Sequence, residues 1–377
     1  MDSRGGWALV TVLLMFPQVV ETLYSPALPG IGQGFGVSPG EAAQTLSVYV
    51  VGFAAGVLFW GRACDVVGRR PALLAGLACY AAGAGLALCT GSFGGLLLAR
   101  VLSAFGAAVG SVVTQTVLRD RYQGPELMRV FAGIGVALAI SPALGILLGT
   151  GLNQAFGYRG VFAGLVALAL LLMAWSGRAF PETRPVDAPP AALWATLVDM
   201  LADRRIRWAT LLVASFNAGV FAYYGLAAFQ FERAGLAPAL FGYSGLWLAA
   251  GSLLGARLGR GLQARGWSGA RILGLAVGMN LGAGLGVLIL EGSALFVLPM
   301  LLVMAAFALA IPQVLASALV DYGARRGTAG ALFGLFYYLA LGAQLAVIGW
   351  SQRLGPSLLA CALAALLGAL GYRRYLR

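Results

Sequence analysis

The sequence predicts an all-α membrane protein in which twelve transmembrane helices form two six-helix bundles. Three observations predict it. Of the 377 residues, 60% are hydrophobic and 10% charged, which is more apolar surface than a soluble domain of this size can enclose. The apolar residues gather into stretches close to the roughly 20 residues that a helix needs to cross the hydrocarbon core. The arginines lie between those stretches, concentrated in alternate gaps.

Hydropathy divides the chain into spans at 7–28, 42–63, 71–90, 94–117, 129–152 and 158–178, then 207–228, 237–259, 269–290, 293–320, 327–349 and 355–374. Six precede a longer gap and six follow it. This gives an N-terminal bundle over 1–178, a cytoplasmic linker over 179–206 and a C-terminal bundle over 207–377. The turns within 71–117 and 269–320 are so short that each pair of spans must be an antiparallel hairpin. Met1 to Gly6 lead into an apolar stretch too long for a signal-peptide core and lacking a small-residue cleavage site, so the first span is expected to remain as a helix.

All 25 basic residues are arginine. With residue 1 in the cytoplasm, 21 of them, from Arg4 to Arg377, fall in cytoplasmic segments. Arg159, Arg233 and Arg353 fall outside, and Arg100 lies within a span. The alternation holds through every crossing, so the positive-inside rule supports the span count and places both termini in the cytoplasm of a bacterial inner-membrane protein. The formal charge of +12 is therefore read as topology, and no nucleic-acid partner is expected. Trp7, Trp60, Trp175, Trp208 and Trp350 fall near span ends, where indole rings anchor at the headgroups.

The linker opens with Pro181-Glu182-Thr183 and includes Ala188-Pro189-Pro190. It then sets Leu193, Trp194, Leu197, Val198 and Leu201 at helical spacing, which predicts a short amphipathic helix on the inner leaflet. Glycine pairs at Gly52/Gly56, Gly106/Gly110, Gly145/Gly149 and Gly251/Gly255 let helices approach closely where lipid supplies no hydrophobic drive.

Histidine is absent, which removes imidazole metal sites and every Ser-His or Cys-His nucleophile. Gly242-Tyr243-Ser244-Gly245 has the shape of an intramembrane serine-protease motif, but no base exists to activate Ser244. No phosphate-binding loop or metal cluster stands out, and the four scattered cysteines form no C-x-x-C pair. The chain is read as a non-enzyme without a cofactor, driven by an ion gradient.

A charge in the hydrocarbon costs roughly 2.5–3.5 kcal/mol on insertion scales and needs an explanation. Two residues qualify clearly. Glu21 lies ~10 Å from the outer end of the first predicted span and Arg100 ~9 Å from the outer end of the fourth, so they share a depth. One reading makes Glu21 the protonatable carboxyl of a proton-coupled step, with Arg100 modulating it or meeting an anionic substrate. The other makes the two a static ion pair. Pro17, Pro26 and Pro29 either kink the first helix beside Glu21 or, at the last two positions, end it. Ser38-Pro39-Gly40-Glu41 has the spacing of a capping box. Tyr24, Asn217, Tyr223, Asn280, Gln313, Tyr337 and Gln344 put phenols and amides within spans, where each either lines a substrate cavity or bonds between helices.

The stretch Gly61-Arg62-Ala63-Cys64-Asp65-Val66-Val67-Gly68-Arg69-Arg70-Pro71 resembles the loop signature between helices two and three of the major facilitator superfamily. In that loop Asp65 can face a helix N-terminus and pair with Arg69 and Arg70, forming a latch that differs between conformations; the alternative is a solvated turn. Leu23-Tyr24-Ser25-Pro26-Ala27-Leu28-Pro29, Ala99-Arg100-Val101-Leu102-Ser103-Ala104-Phe105-Gly106, Leu118-Arg119-Asp120 and Ser141-Pro142-Ala143-Leu144-Gly145 are similar to the Bcr/CflA branch of drug:proton antiporters. That resemblance covers most of residues 20–183. It implies that Arg100 belongs to a proton-coupling motif, and that Ser141, Pro142 and Gly145 belong to a fifth-helix motif associated with exporters. The branch usually carries an aspartate where this chain has Thr22. Its acid, Glu21, stands one residue earlier, ~100° around the helix.

The expectation is a monomeric, proton-driven exporter of small molecules that works by alternating access between its two bundles. The alternatives are an exporter of an endogenous metabolite such as a siderophore, a proton-symport uptake permease and, in a different class, a non-transporting membrane sensor.

Overall fold

The computed structural model describes residues 4–122, 124–184 and 193–376, and all regular structure among them is helical. Ala188, Pro189 and Pro190 of the linker and Arg377 at the C-terminus lie outside the described residues. The first half comprises α1 (Arg4–Tyr24), α2 (Leu28–Phe35), α3 (Pro39–Val67), α4 (Arg69–Cys89), α5 (Phe93–Arg121) and α6 (Gly124–Ala179). The second half comprises α7 (Leu193–Ala202), α8 (Arg204–Arg233), α9 (Pro238–Ala264), α10 (Gly269–Leu290), α11 (Met300–Ala318), α12 (Arg326–Ser351) and α13 (Leu354–Tyr372).

Eleven segments among the described residues are long and apolar enough to cross a membrane, and one of them runs for 47 residues, Gly133–Ala179. That one makes two crossings. Gly157 has φ 65° and ψ −172°, and a Cβ on Gly164 would stand 2.7 Å from Leu152 Cδ1. Twelve residues along a straight helix are ~18 Å apart, so the chain doubles back at Gly157. The count of twelve is therefore recovered with a turn of a single glycine.

The first crossing differs from the expected 7–28. A 3₁₀ turn, Ser25–Ala27, joins α1 to α2, and the apolar segment runs from Gly6 to Phe35. Pro26 and Pro29 each sit in the first turn of the helix they begin, where a missing N–H costs nothing. They tighten the helix without ending it. Asn153 of α6 donates to the Pro26 carbonyl at 3.0 Å, satisfying an acceptor at the irregular turn. Glu21 thus stands near the middle of a 30-residue crossing, deeper than the expected ~10 Å from its end.

The chain divides into two compact units. One contains Met1–Ser38 and Val48–Pro190, the other Pro39–Ser47 and Ala191–Arg377. In the first, α1 lies along α6 and α5, and α4 packs on α5 and α6. In the second, α8 packs on α13, α12 and α11, α9 on α11, and α10 on α13 and α11. The start of α3 joins the second unit through Gln44 Nε2, which donates to Ala346 O at 3.0 Å, and Gln352 Nε2, which donates to Pro39 O at 3.2 Å.

All four glycine pairs stand at close helix approaches. A Cβ on Gly52 would come 2.6 Å from Val101 O, one on Gly110 2.8 Å from Leu13 O, one on Gly145 2.7 Å from Val19 O and one on Gly251 2.5 Å from Leu301 O. Backbone meets backbone there, as small residues permit. Trp60 is not a headgroup anchor: it is buried, and its Nε1 donates to Phe105 O at 2.8 Å.

Candidate functional site

The glycine contacts place the charged centre of the first unit. Gly52 of α3 rests on Val101 of α5. Tyr49, almost one turn before Gly52, therefore faces α5 beside Arg100. The Arg100 guanidinium lies between two rings, 3.8 Å from the Tyr24 centroid and 4.1 Å from the Tyr49 centroid. Both separations are within cation–π range. Arg100 is 1% exposed and Glu21 6%. The two are near enough for their charges to interact, yet no ion pair joins them among the described residues. Glu21 Oε1 and Arg100 Nε and Nη2 are buried without a hydrogen-bond partner. The static pair expected from one reading of the sequence is absent from this conformation.

Thr22, beside Glu21, is held in the contact between α1 and α6. Its Oγ1 donates to Gln18 O at 2.7 Å, and a Cβ on Gly145 would collide with that oxygen. Position 22 is pressed against α6 at Gly145. Glu21, rotated by about 100°, is turned away from that contact. The fifth-helix motif thus lies directly on the residue beside Glu21. Ser141 is buried, its Oγ donating to Ala137 O at 2.9 Å, and Pro142 lies inside α6.

At the other end of this unit, Arg69 is the centre of an ion network. Its Nη1 donates to Asp65 Oδ1 at 2.6 Å and to Cys64 O at 2.8 Å, and its Nε donates to Asp120 Oδ2 at 3.0 Å. Thr183 Oγ1 donates to the same Asp120 oxygen at 2.7 Å. Arg70 Nη2 donates to Gly177 O. Gly68 has φ 103°, and a Cβ there would lie 2.7 Å from Glu182 Oε2, so glycine is required twice over. Gly61 faces α5, where an added Cβ would meet Val112 Cγ1 at 3.6 Å.

Glu182 serves as an N-terminal cap for α4 although it comes from beyond α6. It accepts from the backbone N–H groups of Arg69 at 3.0 Å and Arg70 at 3.1 Å, and from Thr183 and Arg184 at 3.0 Å each. Burial pushes its carboxyl up, but these four donors outweigh that and hold it below the usual carboxylate range. The first-turn N–H groups of α4 thereby gain the acceptor that a helix start lacks.

The second unit separates its polar residues. Tyr223 is fully buried and donates to Ser244 Oγ, which donates to Phe241 O at 2.6 Å. Ser244 is therefore a helix-packing residue. Asn217 Nδ2 donates to Val213 O on its own helix at 2.8 Å. Asn280 is buried with Nδ2 unpartnered. Gln313 lies near Gly269, Tyr337 packs on Tyr338 with centroids 4.3 Å apart, and Gln344 is half-buried on α12. Among the described residues no contact joins these side chains around one point.

Sequence reasoning gave no role to Tyr49, Asp120 or Glu182. Tyr49 was findable as the residue on the Gly52/Gly56 face. Glu182 had no comparable signal, because its partner helix begins more than a hundred residues earlier.

Helices long and apolar enough to cross a membrane, a turn loop stapled by ion pairs and a buried charged centre together describe a multi-pass membrane protein. The family model described as Major Facilitator Superfamily matches residues 10–345. An uncharacterized transporter of Rickettsia bellii is 32% identical over 357 residues, covering 90% of this chain and 87% of that protein. The chloramphenicol resistance protein of Pseudomonas aeruginosa is 36% identical over 226 residues, 58% of this chain and 53% of that one. The crystal structure of a D-xylose-proton symporter shares the fold at a TM-score of 0.77 and 16% identity, covering 99% of this chain and 98% of that one. The chain belongs to the Major Facilitator Superfamily.

Proposed function

We propose that the protein is a proton-coupled secondary transporter of the bacterial inner membrane, with both termini cytoplasmic, in which Glu21 takes up and releases the proton. The observation that supports this most is the Arg100 centre: a guanidinium held between two aromatic rings, with two donor atoms unpartnered, within electrostatic reach of an enclosed carboxyl. A desolvated carboxylate is relieved by gaining a proton or by meeting a cation. Charges that are near but unbonded can do either, and the two outcomes favour different helix packings. That difference is what alternating access requires. The network of Gly61, Asp65, Gly68, Arg69 and Arg70 acts as the conformational latch.

Unpaired guanidinium donors suit an anionic oxygen, so the cargo best supported is a small organic anion, of which a siderophore is one kind. Transport outward by antiport or inward by symport fits the same chemistry. A second reading, drug export within the Bcr/CflA branch through Ser141, Pro142 and Gly145, is favoured by the relative named for chloramphenicol resistance. Everted vesicles carrying a panel of organic anions and hydrophobic drugs distinguish the two. The expected result is proton movement linked to an anion and accumulation on one side. Proton movement linked only to drugs would replace the first reading with the second, and cargo flux without proton movement would end both.

A further inference from the structure

The second unit contains an open cavity of about 760 Å³ between the start of α8 and the end of α13. Its rim carries Arg204, Arg207, Arg373 and Arg374, and its wall is Trp208, Leu211, Leu370 and Gly371. Four guanidiniums beside an apolar wall do not follow from topology alone, which needs basic residues near the span ends but no cavity. A Cβ on Gly371 would stand 2.5 Å from Trp208 Cδ2, so the indole is packed flat on the backbone of α13 and the wall is built in place.

The acids nearby are committed elsewhere. Asp203 accepts from Arg205 N at 2.7 Å and from the Tyr322 hydroxyl at 3.1 Å, and Asp321 pairs with Arg205 at 2.7 Å. Arg374 bonds the Tyr375 hydroxyl at 2.8 Å. Arg204, Arg207 and Arg373 have no acidic partner among the described residues, and all three are exposed.

The helix just before the cavity fixes the level of the lipid. On α7, Trp194, Val198 and Leu201 are 74%, 54% and 56% exposed along one face, whereas Thr196 and Met200 are buried. Such an outward apolar stripe requires an apolar medium, as on a helix lying in the membrane interface. Arg204 follows two residues after that helix ends, so the basic rim stands at headgroup depth. The arginine asymmetry of the sequence assigns this end to the cytoplasmic leaflet.

We propose that this cavity binds the headgroup of an anionic glycerophospholipid, its phosphate held by Arg204, Arg207 and Arg373 and its glycerol and upper acyl carbons against Trp208, Leu211 and Leu370. The volume lies within the roughly 300–1,000 Å³ of sites that enclose drug-sized molecules. A lone phosphate would use the arginines and leave the apolar wall idle; a phospholipid uses both. Cytoplasmic basic pockets between membrane helices commonly take such headgroups.

Native mass spectrometry of the full-length protein with phosphatidylglycerol or phosphatidylcholine of identical chains tests the site. The wild type is expected to retain phosphatidylglycerol preferentially. The triple variant Arg204→Gln, Arg207→Gln, Arg373→Gln should lose that preference by about fivefold per arginine. A Lys triple at the same positions should keep most of it, which controls for folding. The set Arg257→Gln, Arg260→Gln, Arg265→Gln, elsewhere among the basic segments, should leave it unchanged. Equal retention of the two lipids, an unaltered preference in the first triple, or an equal loss in the control set would each overturn the proposal. Displacement of phosphatidylglycerol by millimolar inorganic phosphate would overturn the lipid as occupant and leave a free-anion site.

Discussion

Replacing Arg69 with glutamine should destabilise the first unit through Asp120 far more than through Asp65. The Asp65 side chain is 64% exposed and the Asp120 side chain 17%, while that of Arg69 is 5%. Losing an exposed pair costs about 0.2–1 kcal/mol. Stranding a buried charge costs about 3–5 kcal/mol. Asp120 keeps some solvent and the Thr183 hydroxyl at 2.7 Å, which lowers its share to about 2 kcal/mol on the same scale. Arg69→Gln is therefore expected to lose about 2–3 kcal/mol in total, Asp65→Asn under about 1 kcal/mol. The double change Arg69→Gln, Asp120→Asn should recover part of the loss, because it leaves no stranded charge. Equilibrium unfolding of the detergent-solubilised protein measures all three. If Asp65→Asn proved as damaging as Arg69→Gln, or if adding Asp120→Asn deepened the loss, the assignment of Arg69 to Asp120 would be refuted.

Glu182 gives a pH test. Its folded carboxyl is held below the ordinary range, so its contribution is fully present above the unfolded value of about 4.3 and is lost as pH falls through the lowered folded value. The difference in stability between wild type and Glu182→Gln should accordingly shrink on acidification through that window and stay constant above it, as read by thermal unfolding across pH. Gly145→Ala must push Thr22 and the α1 backbone away and should cost about 1–3 kcal/mol, visible as a lower unfolding midpoint, whereas Gly85→Ala, where an added Cβ meets nothing within 4 Å, should be near neutral. Tyr49→Leu keeps an apolar side chain of smaller volume and removes one face of the Arg100 sandwich. It should lower the unfolding midpoint by the equivalent of about 1–2 kcal/mol more than the same change does in an Arg100→Gln background; an equal loss in both backgrounds would mean that the ring only fills space.

The number of crossings was legible because lipid selects for length and apolarity, and both are written residue by residue. The glycine pairs were legible for a similar reason: a repeat at four residues marks one helix face, and each marked face meets another backbone. The reversal at Gly157 was legible as the gap between the spans 129–152 and 158–178, where Asn153, Gln154 and Arg159 interrupt the apolar run; that a single glycine makes the turn was not. The reach of the first helix to Phe35 was hidden by prolines whose meaning depends on position within a turn: in the first turn of a new helix they start it, and further in they would break it. Of the charged centre, the two ionisable residues were legible from the cost of burying them, but their relation was not. Depth along the membrane fixes one coordinate only, and the aromatic rings of Tyr24 and Tyr49, contributed from two other parts of the first unit, occupy the faces of Arg100. The Arg69 network was half legible: Asp65 is local at four residues' distance, whereas Asp120, Thr183 and Glu182 arrive through tertiary packing.

Proton coupling in this chain rests on Glu21 as the carrier beside Arg100. Everted vesicles containing either the wild type or Glu21→Gln, given a transported cargo and monitored with a pH-sensitive dye, test it most directly. The wild type is predicted to move protons only when cargo is present, and Glu21→Gln to show no cargo-linked proton movement while remaining folded in the membrane. Full proton-coupled transport by Glu21→Gln would contradict the account.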